Sequence, residues 1–331
     1  MIVALELAGA FVLIVGGAIW FTNAVEWLGR RLDLGAGAVG ALLAAVGTAL
    51  PESIIPVVAL LNGGGGEQVE LAIGAIIGAP FMLATLAMLL IAASSYLYRG
   101  RREQGSELQI EADTTRRDLA FFLALFPVGI AVGAIGVATP WRIATAATLL
   151  VGYGVYVRMT VAKSGGAEEE EPRPLFVDTS KDDPPSTPQI VVQFVLSLAA
   201  IVGGAELFVT AIESLATSLD IPLLVLALIL APLATELPEK ANSVLWVRRG
   251  KDALAAGNVT GAMAFQATVP VALGLVVTTW ELDRFAVVAG CVALAGGAVA
   301  LWALPRGRGG LLPTATWAVL FGGFLGYVAF G

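Results

Sequence analysis

The sequence predicts an all-α membrane protein whose ten transmembrane helices form two inverted five-helix repeats. Three observations predict this. The 331-residue chain is 57% hydrophobic and only 14% charged, against roughly 25% charged in soluble domains. Lys and Arg gather in alternate connections between apolar runs. The chain also aligns with itself at a fixed offset.

Runs of about 20 apolar residues, long enough to cross a bilayer, place helices near 2–29, 35–61, 69–97, 118–138, 141–162, 189–217, 222–248, 253–279, 284–304 and 311–330. The first run is apolar from Ile2, with no basic residue before Arg30. A secretory signal starts with positive charge, so this run reads as a retained helix. One set of alternate connections holds Arg30 and Arg31; Arg99, Arg101, Arg102, Arg116 and Arg117; Arg158, Lys163, Arg173 and Lys181; Arg248, Arg249 and Lys251; and Arg306 and Arg308. The other set holds only Arg142 and Arg284, and Lys240 falls inside a helix. Cytoplasmic loops carry the excess of Lys and Arg. The first set is therefore expected in the cytoplasm and both termini outside, in a multi-pass protein of a prokaryotic plasma membrane.

The expected division is a first repeat at 1–162, an acidic cytoplasmic linker at 163–188 and a second, inverted repeat at 189–331. The linker carries Glu168–Glu171, Asp178, Asp182, Asp183 and several prolines. Its low apolar content reads as a disordered tether, with cation sensing as the functional alternative.

Residues 16–52 align without gaps to 203–239, with 15 of 37 positions identical. The shared positions include Gly16/Gly203, Glu26/Glu213, Asp33/Asp220, Thr48/Thr235, Pro51/Pro238 and Glu52/Glu239. Gly74 and Gly78 match Gly257 and Gly261 at an offset shorter by four, which the GGGG loop at 63–66 accounts for. Five helices per repeat is an odd number, so the second repeat enters from the opposite side. That is the plan of secondary transporters, with substrate bound near the midplane between the repeats.

In each half the second helix carries Thr-X-Leu-Pro-Glu, as GTALPES at 47–53 and ATELPEK at 234–240. Pro51 and Pro238 remove a backbone donor, so a helix break with free carbonyls is expected beside Thr48 and Thr235. Glu52 and Glu239 follow at once, four residues from each threonine, on the same helix face. Hydroxyl, carbonyl and carboxylate oxygens are what hard cations take. A carboxylate in mid-membrane costs at least ~2.5 kcal/mol, which points to function. With no histidine and a single cysteine, Cys291, the chain offers no His metal site, triad or internal disulfide. It reads as no enzyme, with no cofactor and no nucleic-acid partner.

The two LPE segments are each followed by a Gly-X-X-X-Gly helix, GAIIGAPFML at 74–83 and GNVTGAMAFQ at 257–266. Together they resemble the paired alpha repeats of the cation/calcium antiporter superfamily, which includes the sodium/calcium exchangers. The resemblance covers nearly the whole chain. It implies alternating access at a site on the second, third, seventh and eighth helices, with the two glutamates binding the ions. The departures are specific. The usual serine after the motif threonine is Ala49 in one half and Glu236 in the other. The third-helix polar positions are Ala75, Ala79 and Leu83, while the eighth helix keeps Asn258 but has Ala262 and Gln266. Gln266 is similar to the cation/proton exchanger branch.

The expected ion ligands are Thr48, Glu52, Thr235, Glu236, Glu239, Asn258 and Gln266. Glu236 and Lys240 are four apart, so Glu236 is either a ligand with Lys240 as competing tethered cation, or the two neutralise each other. Glu206 reads as a proton relay or a member of that charge cluster; Glu26 and Glu213 read as interfacial. The expected partners are inorganic cations (sodium, calcium or protons) and the lipid bilayer. The expected function is secondary active cation antiport. The alternatives are sodium/proton or other cation/proton exchange with weak calcium transport, and a transport-impaired homologue. A passive channel is less consistent with isolated midplane carboxylates.

Overall fold

Helices follow the apolar runs. The computed structural model describes residues 2–31, 53–61, 65–163, 173–177 and 184–330, without the side chains of 29, 161, 163 and 237–239. Among them there is no strand. The helices are α1 (Ile2–Arg31), α2 (53–61), α3 (Gly66–Met82), α4 (Met88–Leu97), α5 (Ala112–Ile135), α6 (Thr139–Lys163), α7 (Thr187–Leu219), α8 (Leu223–Arg248), α9 (Asp252–Gln266), α10 (Val269–Val277), α11 (Arg284–Ala303) and α12 (Leu311–Phe330). Eight stretches of the described residues are long and apolar enough to cross a membrane, and Leu223–Glu236 is a shorter apolar stretch within α8. Most of the helix expected at 35–61 lies outside the described residues, which begin again at 53. The helix expected from 118 begins at Ala112 instead, because the polar turn through Arg116 and Arg117 continues it. It stops where Gly136 takes a left-handed conformation (φ 70°), which costs glycine nothing.

Two compact units form, and each draws on both halves of the chain: residues 1–72 with 154–223, and 73–153 with 224–331. In the first unit α1 packs along α7. A Cβ on Gly17 would lie 2.8 Å from Ile201 Cγ1, and one on Gly204 would lie 2.9 Å from Ile14 Cγ1. Gly17 and Gly204 are repeat mates, and so are Ile14 and Ile201. The two contacts therefore exchange under the repeat. As the position on α1 rises from 14 to 17, its partner on α7 falls from 204 to 201, so these mates run antiparallel. Phe21 against Phe194 (5.0 Å between centroids) and Phe11 against Phe208 (6.4 Å) extend the seam in both directions.

The linker is more than a tether where it is described. Asn23 Nδ2 and Trp27 Nε1 both donate to the Arg173 carbonyl, at 2.8 and 2.9 Å. Phe176 stacks on Trp20 at 5.5 Å, and the Val177 amide donates to Gln193 Oε1 at 3.2 Å. Leu175 is buried beneath them. The Arg173 carbonyl, the Leu175 side chain and the Phe176 ring supply a docking point that the surrounding acidic composition hides.

In the second unit α3 crosses α8 backbone to backbone. A Cβ on Gly74 would lie 2.5 Å from the Leu224 carbonyl oxygen, and one on Gly78 only 2.1 Å from that of Leu228. Pro232 has no N–H to give the Leu228 carbonyl, so that oxygen is turned to Gly78 free of its helical donor. Elsewhere Trp280 Nε1 donates to the Gly129 carbonyl at 2.9 Å, and its ring packs on Gly274. Arg102 and Asp252 form a buried ion pair. The Gln109 amide adds a 2.9 Å bond to Asp252, so the 98–111 connection is fastened to the start of α9.

Candidate ion-binding site

Thr235, Glu236, Lys240 and Ser243 of α8 are buried. Thr235 Oγ1 donates to the Ala231 carbonyl at 3.2 Å, one turn back. Glu236 is 1% exposed and Lys240 4%. Their four-residue spacing puts them on one face, where Lys240 Nζ is paired with Glu236 Oε2 and donates to the Pro232 carbonyl at 3.4 Å. Ser243 continues that face, fully buried. Glu236 Oε1 and Ser243 Oγ have no hydrogen-bond partner among the described residues. The break expected at Pro238 does not interrupt the helix: α8 is continuous from Leu223 to Arg248. One proline withdraws one donor, here from the Ala234 carbonyl, and the turns on either side carry the helix through.

On α9, Asn258 and Gln266 are eight residues apart, two turns along one face. Asn258 is half-buried. Gln266 is 1% exposed, and its Nε2 is without a partner among the described residues. The helix ends there and resumes at Val269 as α10. At the step between them Thr268 Oγ1 donates to the Ala264 carbonyl at 2.9 Å.

The equivalent place in the first half is also irregular. Leu83, the mate of Gln266, begins a π-helical turn, Leu83–Ala87, that joins α3 to α4. Thr85, the mate of Thr268, donates to the Phe81 carbonyl at 2.6 Å, and Phe81 is the mate of Ala264. Single π turns leave backbone groups out of the regular ladder and recur at functional sites. The paired threonines at the offset of Gly74/Gly257 were the available signal. Hydropathy misses them, because a hydroxyl bonded to its own helix leaves an apolar run apolar.

Thr48, Pro51 and Glu52 lie outside the described residues, as do the side chains of Pro238 and Glu239. The α8 backbone carries Pro238 two residues and Glu239 three residues, nearly one turn, beyond Glu236. Among the repeat glycines, Gly74 and Gly78 serve the α8 crossing, a Cβ on Gly257 would meet nothing within 4 Å among the described residues, and Gly261 is half-buried. Among the described residues no three Asp, Glu, Cys or His side chains gather as a metal group. Glu206 is exposed on α7. Glu213 accepts from Gln68 Nε2 at 3.3 Å and lines a 430 Å³ cavity with Glu67, Glu70, Thr217 and Asp220. Sequence reasoning passed over Ser243 and the buried Asp118, which accepts from Thr260 Oγ1 at 2.9 Å. Ser243 was detectable as the next polar position on the Glu236–Lys240 face.

The antiporter-named CaxA of Alkalimonas amylolytica is 24% identical over 277 residues, covering 83% of this chain and 81% of the relative. The crystal structure of the H+/Ca2+ exchanger CAX has the same fold, with a TM-score of 0.77 and 18% identity, over 99% of this chain and 82% of that one. The sodium-calcium exchanger NCX_Mj superposes with a TM-score of 0.61 and 20% identity, over 99% and 98%. This is a family of exchangers, not of enzymes. Residues 2–162 and 189–330 both match its sequence pattern, and the chain belongs to the sodium/calcium exchanger protein family.

Proposed function

We propose that the chain is a secondary active cation antiporter working by alternating access, with Glu52 and Glu239 as the midplane carboxylates. Its ten helices form two inverted repeats, with both termini outside and the linker in the cytoplasm. The observation that carries this reading is the duplicated Thr-X-Leu-Pro-Glu segment within a chain whose two halves both match the exchanger family. The antiparallel packing of the mates α1 and α7 supports the inversion, and the paired irregularities at Thr85 and Thr268 support a common site in the two halves.

A second reading concerns the ions. Calcium takes six to eight oxygens, roughly. The third and eighth helices offer Ala75, Ala79, Leu83 and Ala262 where ligands would stand, and Gln266 is neutral. This favours sodium or proton exchange with weak calcium transport over tight calcium binding. Purified protein in liposomes, given imposed sodium and proton gradients with calcium as a tested substrate, decides both points. Cation-driven counterflow supports antiport. Flux that needs no counter-ion contradicts it, and calcium saturation at the lowest concentrations contradicts the second reading.

A further inference from the structure

The two motif segments differ in sequence at two positions that are buried in the second half. Where the second half has Glu236 and Lys240, the first has Ala49 and Ser53. A carboxylate and an ammonium thus occur together in one half and are both lacking in the other. They meet: Lys240 Nζ is paired with Glu236 Oε2, and both side chains are out of solvent. Stability alone does not account for the pair, because apolar residues of similar volume generally serve a buried position as well or better. The ammonium also reaches the Pro232 carbonyl at 3.4 Å. A carboxylate oxygen together with a main-chain carbonyl is an oxygen set that suits a dehydrated monovalent cation.

We propose that the Lys240 ammonium is a resident cation, filling a monovalent-cation position at Glu236 that a free ion would otherwise occupy. This rests on the antiport reading, which it deepens. The chain carries one fewer mobile cation per cycle than it would without Lys240, and Lys240 sets stoichiometry and selectivity from within the protein. Removing the ammonium leaves Glu236 as an uncompensated buried carboxylate, a costly state that a small free cation relieves.

The test uses purified full-length protein in detergent and reads thermal unfolding against sodium, potassium and n-butylammonium, with choline as control. Lys240→Met is compared with wild type and with the neutral pair Glu236→Gln/Lys240→Met. The expected result is a saturable rise in unfolding temperature with sodium or n-butylammonium in Lys240→Met, beyond any in wild type and lost in the double variant. A folded Lys240→Met with no added response, its carboxyl having simply taken a proton, overturns the proposal. If Lys240→Met folds only when purified in the probe cation, the proposal holds. If neither the probe cation nor the neutral pair restores folding, the residues are needed for packing and the proposal fails. The readout is binding, not transport. A wild type inert in liposomes would count against the antiport reading, while the Lys240→Met response would still decide the resident cation.

Discussion

Gly78 and Gly257, one from each of the two matched glycine pairs, test two different uses of a helix glycine. Alanine at Gly78 would put a Cβ 2.1 Å from the Leu228 carbonyl oxygen and 2.8 Å from its Cα and carbonyl carbon. A carbon normally approaches such an oxygen no closer than about 3.3 Å. The two helices must therefore separate by about 1 Å at a backbone contact, where no side chain can swing aside. Overpacking of this kind costs about 1–3 kcal/mol. Among the described residues alanine at Gly257 meets nothing within 4 Å, and it removes a helix-interior glycine, worth about 0.5–1 kcal/mol in the opposite direction. Thermal unfolding of the two variants in the same detergent should separate them by about 1.5–4 kcal/mol, with Gly78→Ala the weaker. Gly78→Ala as stable as wild type would refute the backbone-level crossing of α3 and α8.

Other outcomes follow from the same structure. Arg102→Met should lower stability by about 3–5 kcal/mol because it strands a buried Asp252, and Arg102→Met/Asp252→Leu should recover much of that in the same unfolding assay. Linker sidedness is read best at exposed Pro174, since Leu175 is 2% exposed. In a chain with Cys291 replaced by alanine, Pro174→Cys should resist an impermeant thiol reagent applied to intact cells, and ready labelling would reverse the orientation. Gln266→Asp adds a carboxylate at a buried position and should raise calcium competition against sodium or proton flux roughly tenfold, ~1.4 kcal/mol; unchanged competition would remove Gln266 from the site.

The long apolar runs and the repeat were legible because both are written in one dimension. Hydropathy marks a helix such as α12, and a fixed offset marks Glu52 and Glu239 as mates. What was not legible depends on hydrogen-bond register and on partners far along the chain. The π turn after Met82 looks like any apolar segment until the Thr85 hydroxyl is seen on the Phe81 carbonyl. The linker reads as a tether by composition, yet one carbonyl, at Arg173, is bound by Asn23 and Trp27 about 150 residues away. Pro238 reads as a break, because proline's cost is local while the continuity of α8 is set by the turns around it. Spacing alone left Glu236 and Lys240 open between ligand and pair; the buried contact joins them in an ion pair.

The central claim is that two repeat-related carboxylates carry the transported cations. Glu52→Gln and Glu239→Gln, each reconstituted at the same protein density as wild type, should lose most gradient-driven cation exchange while keeping wild-type folding and liposome insertion. Each removes a midplane charge whose isolation in the membrane costs at least ~2.5 kcal/mol and which, on this account, only the transported ion relieves. Full exchange in both variants would contradict the account.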